Sequence, residues 1–181
     1  MKRFLNMVLM AVLAVCFMLP LTGKAEASKV VVIPLINNSQ MESAGQIFFS
    51  GAIQYFDYPE YELLESDAVD KAIAAEKIGK KGPSKEALVR IAKATGADLV
   101  LGMVIDTLED KPVFPSAERI LQLDMTGRTY AYNAYTGKFY NHRIYDDKQI
   151  DETLTSRWDW VSEEFNRCVR REMQKVRSAK F

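Results

Sequence analysis

The run Lys29-Val30-Val31-Val32-Ile33-Pro34-Leu35-Ile36 constrains this chain more than any other segment. Its consecutive β-branched and apolar positions put apolar side chains on both faces of a strand. Such a strand is covered on both faces or lies centrally in a sheet. Proline has no N–H to give to a ladder, so Pro34 predicts that the pairing changes partway along the run. A second run of the same kind, Leu99 to Ile105, is the strongest strand signal in the chain. Gly102 within it marks a bulge or a close backbone approach.

Helical periodicity fills the space between these runs. Ser39 with Glu42 three residues later has the form of a capping box. It precedes a helix over about Gln40 to Phe56, whose buried stripe is Met41, Ala44, Phe48, Gly51, Ala52 and Tyr55. Tyr61 to Glu65 is a short strand. Ser66 or Asp67 caps a helix carrying Val69, Ile73 and Ala74, and Ser84 caps another with Leu88, Ile91 and Ala92 buried. The pattern changes after Asp106. Glu118 to Tyr135 alternates as an antiparallel strand with one wet face. Thr136-Gly137-Lys138 is a tight turn, and Phe139 to Tyr145 returns as the hairpin partner. Thr153 caps a last helix over about Leu154 to Arg177, with Leu154, Trp158, Val161, Phe165, Cys168 or Val169, and Met173 buried. The order β-α-β-α-α-β-β-β-α predicts an α/β protein of α+β-like character: a single open mixed β-sheet with helices packed against it.

The first 27 residues read as a secretory signal peptide. Lys2 and Arg3 precede an apolar run from Phe4 to Leu21, and Ala25-Glu26-Ala27 presents small side chains at the two positions a signal peptidase reads, so cleavage is expected after Ala27. The run is about long enough to span a bilayer, but Pro20 and Gly23 ahead of the Ala-x-Ala site favour cleavage over a retained anchor. Cys16 follows Leu13-Ala14-Val15, superficially a lipobox. The branched Val15 before the cysteine, and its place inside the apolar run, argue against lipidation. Residues 28–181 are then one domain, long enough for a real core. Loss of Lys2, Arg3 and Lys24 against Glu26 alone takes the formal charge from zero to about −2. No bulk attraction to nucleic acid or to an anionic membrane follows, and contact with the membrane is peripheral at most. Cys168 becomes the only thiol, so no internal disulfide forms.

Several of these segments have counterparts in known envelope proteins. The opening strand followed by Asn37-Asn38-Ser39, the passage from Leu88-Val89-Arg90-Ile91-Ala92-Lys93 into Thr95-Gly96-Ala97-Asp98-Leu99-Val100-Leu101-Gly102, and the turn Tyr135-Thr136-Gly137-Lys138 together resemble one group of bacterial proteins. It contains the curli-secretion lipoprotein CsgG, the penicillin-binding-protein activator LpoB and the N-terminal domain of TolB. The resemblance spans about Lys29 to Arg177. It implies a mostly non-enzymatic protein acting through protein contacts in the periplasm or at the outer membrane, with an envelope protein as partner and no cofactor. No long amphipathic hairpin insertion stands out, so a curli-type pore is not expected.

The residues that could carry chemistry are few. His142 is the only histidine and sits in Asn141-His142-Arg143, where an exposed or hairpin-pairing role is expected. One histidine and one distant cysteine do not make a zinc site. The acids Asp146, Asp147, Asp151 and Glu152 lack the alternation of a calcium loop. Gly79-Lys80-Lys81-Gly82-Pro83-Ser84-Lys85 has neither the spacing nor the preceding strand of a phosphate loop and reads as a basic surface loop. Paired carboxylates for an acid-base hydrolase acting on a cell-wall polymer remain an alternative, as does a small ligand held in a closed apolar pocket. For partner binding the candidates are Trp160, two positions and about 200° from the buried Trp158, and Phe114 with Pro115 in an expected loop from Glu109 to Ala117.

Overall fold

The computed structural model describes residues 26–114, 117–151 and 157–179. Pro34 does what its missing N–H dictates. It divides the opening run into β1 (Ser28–Val32) and a two-residue strand, β2 (Ile36–Asn37). β1 lies between two parallel partners: Val30 is opposite Leu63 of β3 (Tyr61–Leu63) and Leu99 of β4 (Leu99–Phe114). β2 pairs with β4 alone, Ile36 opposite Val104. With β5 (Ala117–Asn133) and β6 (Lys138–Asp151) added antiparallel, the sheet runs β3-β1-β4-β5-β6.

Both faces of β1 are covered, as its composition requires. Val30 and Val32 join the layer of α1 (Ala44–Tyr55) and α4 (Arg157–Ser178), where Phe48, Leu101, Phe165 and Val169 are buried. Val31 and Ile33 face the opposite layer, made by α2 (Asp67–Ala75) and α3 (Lys85–Thr95) with Val69, Leu88 and Ile91. The order among the described residues is therefore β-β-α-β-α-α-β-β-β-α, an α+β fold on one open mixed sheet. Ser66 and Ser84 cap α2 and α3 by accepting the N–H of Val69 and Ala87. The capping box at Ser39 does not form. α1 begins at Ala44, and Ser39 Oγ instead bonds Asn37 Oδ1 at 2.6 Å and accepts the Met41 N–H, closing a turn after β2.

Gly102 is a close approach rather than a bulge: a Cβ there would lie 3.2 Å from Cβ of Ile33. The bulge comes at Asp106, where the register slips between Ile105 and Thr107. Gly127 sits opposite, and a Cβ on it would come 2.3 Å from the Val104 carbonyl oxygen.

Past that bulge the structure departs from the expected loop at Glu109 to Ala117. β4 continues to Phe114 and β5 starts at Ala117, so this segment pairs as a hairpin, with Glu109 opposite Asp124 and Lys111 opposite Gln122. The chain thus has a long β4–β5 hairpin that its sequence did not announce. β6 accompanies it as far as Ile120 opposite Asp151. The eight residues of β4 beyond the bulge extend this arm by about 25 Å. Leu108, Leu121, Leu123 and Met125 line its inner face and pack under the first turns of α4, while Thr107, Gln122, Asp124, Thr126 and Tyr145 lie on its open face. The single wet face predicted for β5 holds only along this arm. From Thr129 to Tyr132 both faces are buried, because the α2–α3 layer covers that end.

α4 also corrects an expectation. Trp160 is buried, 6% exposed, in the core cluster with Leu121, Leu123 and Val161. The buried side of α4 is two residues wide at each turn (160 and 161, 164 and 165, 168 and 169, 172 and 173) because the helix packs both on the sheet and against α1, where Val169 sits so close that a Cβ on Gly51 would lie 2.6 Å from it. Trp160 is only about 100° from Val161 and falls inside that stripe.

Candidate functional site

The parallel half of the sheet contains a change of direction. β1 leads through α1, on one layer, to β3. β3 leads through α2 and α3, on the other layer, to β4 on the far side of β1. The chain segments leaving the C-terminal ends of β1 and β3 therefore diverge to opposite faces, and a crevice opens between them. In open α/β sheets this is where ligands are bound. Here the crevice is a cleft of about 500 Å3 between α1 and α2.

Its floor includes the fully buried Phe48, and its walls are Pro34 and Leu35 after β1, Leu64 after β3, Phe49 on α1 and Ile73 on α2. Its polar side chains are Glu65, Ser66 and Asp70, with Ser66 already engaged as the α2 cap. Glu65 and Asp70 are exposed, make no ion pair among the described residues, and no lysine or arginine lines the cleft. The apolar wall continues onto the outside of α1. That helix, AGQIFFSGAIQY, has no charged residue, and its outward positions include Phe49 and Ile53, 38% and 37% exposed and one turn apart. A surface helix ordinarily turns charge toward water. Here the outward positions hold the neutral Gln46, Ser50 and Gln54 beside Phe49 and Ile53.

A second cluster of polar groups lies where α4 crosses β5 and β6. Glu172 is fully buried on α4. Its carboxylate accepts from Nδ1 of His142 at 2.8 Å, from the Thr129 hydroxyl at 3.4 Å and from Nζ of Lys175 at 2.8 Å. His142 and Thr129 are cross-strand partners, so the hairpin role expected for this histidine comes with a buried acid that the sequence reading did not single out. Both groups address the same carboxylate oxygen, an arrangement that anchors the helix and does not link the hydroxyl to the imidazole. Tyr140, stacked on His142, has its phenol pushed up to about 12 by burial and by the charge of Glu172. Nearby, burial pushes the Cys168 thiol up to about 12, which keeps it protonated. Glu164, also buried, pairs with Lys148 of β6 and with Arg167. Among the described residues no three His, Cys, Asp or Glu side chains gather as metal ligands would, and no helix is long and apolar enough to cross a membrane.

Of the sequence candidates, Trp160 alone has a described side chain. Trp160 is in the core. Phe114 ends β4, but its side chain and all of Pro115 lie outside the described residues, as does Thr153. The cleft residues Phe49, Leu64, Glu65 and Asp70 were not singled out by sequence. The available signal was the absence of charge across Ala44–Tyr55, visible once the outward positions of that helix are asked for as well as the inward ones.

No family model matches the chain, and no curated protein matches its sequence. Solved structures do. CT253 from Chlamydia trachomatis superposes with a TM-score of 0.56 at 9% identity, covering 85% of this chain and 99% of that one. The lipoprotein GNA1162 from Neisseria meningitidis gives 0.47 at 9% identity over 81% of this chain and 99% of that one. The C-terminal domain of LpoB from Salmonella enterica gives 0.40 at 14% identity over 74% and 93%. The chain shares its fold with CT253.

Proposed function

We propose that this chain is an exported, non-catalytic accessory protein of the bacterial envelope that works by recognising another protein, in the manner of the CsgG, LpoB and TolB N-terminal group that its sequence resembles. Export rests on the reading of residues 1–27 as a leader cut after Ala27. Recognition rests on one observation above others: the open cleft at the ends of β1 and β3 is walled by apolar side chains and continues onto an uncharged helix face bearing Phe49 and Ile53. A closed pocket would suit a small ligand. This cleft is open to solvent with the exposed Phe49 in its wall, which suits a protein segment. Glu65 and Asp70 give the acid-base hydrolase alternative its two carboxylates. Both stand exposed at the rim, without the desolvated acid such chemistry uses.

The test is a photo-crosslinking amino acid placed at Phe49 of the full chain in its native host, with a second placed at Tyr145 on the open face of the arm. A light-dependent adduct with one envelope protein from position 49 is expected. Absence of adducts from both positions, in cells where a control envelope pair is captured, overturns recognition. Hydrolysis of purified cell-wall polymer that is abolished by Glu65→Gln or Asp70→Asn replaces it with the hydrolase reading.

A further inference from the structure

We infer that the occupant of the cleft between α1 and α2 is a short segment of a partner protein that carries two or three apolar side chains with a lysine or arginine beside them. This rests on the recognition reading above and adds the chemistry of the partner. The apolar requirement comes from Leu35, Phe49, Leu64 and Ile73, with Ile53 extending the surface along α1. The cationic requirement comes from charge complementarity: the charged side chains of the rim are Glu65 and Asp70, neither is neutralised by an ion pair among the described residues, and no cation lines the cleft.

The geometry fits such a segment. A cleft of about 500 Å3 accommodates a few large side chains. α1 sets no charge of either sign against an incoming chain, so discrimination by charge falls to the β3–α2 side, where both acids lie. An acidic segment would bring like charges together there, which costs affinity, and a purely polar one would leave the apolar wall wet. Apolar contact thus supplies the larger share of affinity, and the two exposed acids set orientation and selectivity.

The probes are three fluorescent peptides titrated against the full chain by anisotropy: three leucines followed by two lysines, three leucines followed by two glutamates, and three serines followed by two lysines. The leucine–lysine peptide should bind roughly tenfold tighter than the leucine–glutamate peptide, in keeping with two partly exposed charge pairs. That preference should shrink as salt shortens the screening length. Phe49→Ser should weaken both leucine peptides, and Glu65→Lys should remove the preference for lysine while circular dichroism shows the fold unchanged. Equal binding of the lysine and glutamate peptides, binding of the serine peptide as tight as the leucine one, or no binding by any of the three overturns the inference. So does a dimer of the chain that is lost on Phe49→Ser, since the cleft would then hold a second copy. If position 49 crosslinks to an envelope protein at an acidic or polar segment, recognition stands and this assignment of the partner's chemistry falls.

Discussion

At Cys168 and Tyr140 burial changes the acid–base chemistry of single side chains. The ordinary value for the thiol is 9.0 and for the phenol 10.0, and in the folded protein both are pushed up to about 12. The unfolded chain therefore releases these protons at lower pH than the folded one does. Stability from this source is complete below about pH 9 and is lost as pH rises toward 12. We predict a urea midpoint that is flat from pH 7 to 9 and falls steadily above it. A midpoint still level at pH 11 would show that these groups ionise freely in the folded state. The neighbouring Glu172 shows the limit of sequence reading at this scale. Its spacing, seven residues after Phe165, puts it on the buried stripe opposite the exposed Glu163, but a carboxylate there reads as a misfit until its partners are known. Only the meeting of α4 with Thr129 and His142 makes it a buried anchor.

The elements were legible in proportion to how local their causes are. The two-sided apolar run gave a covered strand, Pro34 gave the change of pairing, and Ser66 and Ser84 gave the caps, each from a handful of adjacent residues. Two readings failed, and one feature was missed, where the cause is tertiary. The arm beyond Asp106 was read as a loop because Glu109, Asp110, Lys111 and Pro112 have little strand propensity, and pairing with β5 is what holds them extended. Trp160 is buried because that cover is broad. The cleft comes from the path of the chain between layers, which no local pattern encodes. For the arm, Leu123→Ala, at a fully buried site under α4, should cost about 2–5 kcal/mol in chemical denaturation. Gln122→Ala on the open face, which gives up the exposed hydrogen bond to Asp147, should cost about 1 kcal/mol or less. Equal costs would mean that α4 does not seal the arm.

For the whole molecule, the path of the chain between the two layers puts the proposed recognition cleft at one end of the sheet. The parallel strands and the change of direction make the cleft, and the antiparallel arm with α4 braces the rest. The proposed division into a leader, residues 1–27, and one domain, residues 28–181, has a direct check. N-terminal sequencing of the protein recovered from the envelope should begin at Ser28. A start at a diacylglyceryl-modified Cys16 would make it lipid-anchored, and an intact Met1 would make the leader a retained anchor. β6 has one more consequence. It is one of the two edge strands of the sheet, and along its length stand His142, Arg143, Asp146, Asp147 and Lys148. An unpaired strand is an invitation to any other copy with a free edge. Crowded with both signs of charge, this edge sets like charges and bound water against a second copy laid alongside it, which disfavours edge-to-edge growth into fibrils.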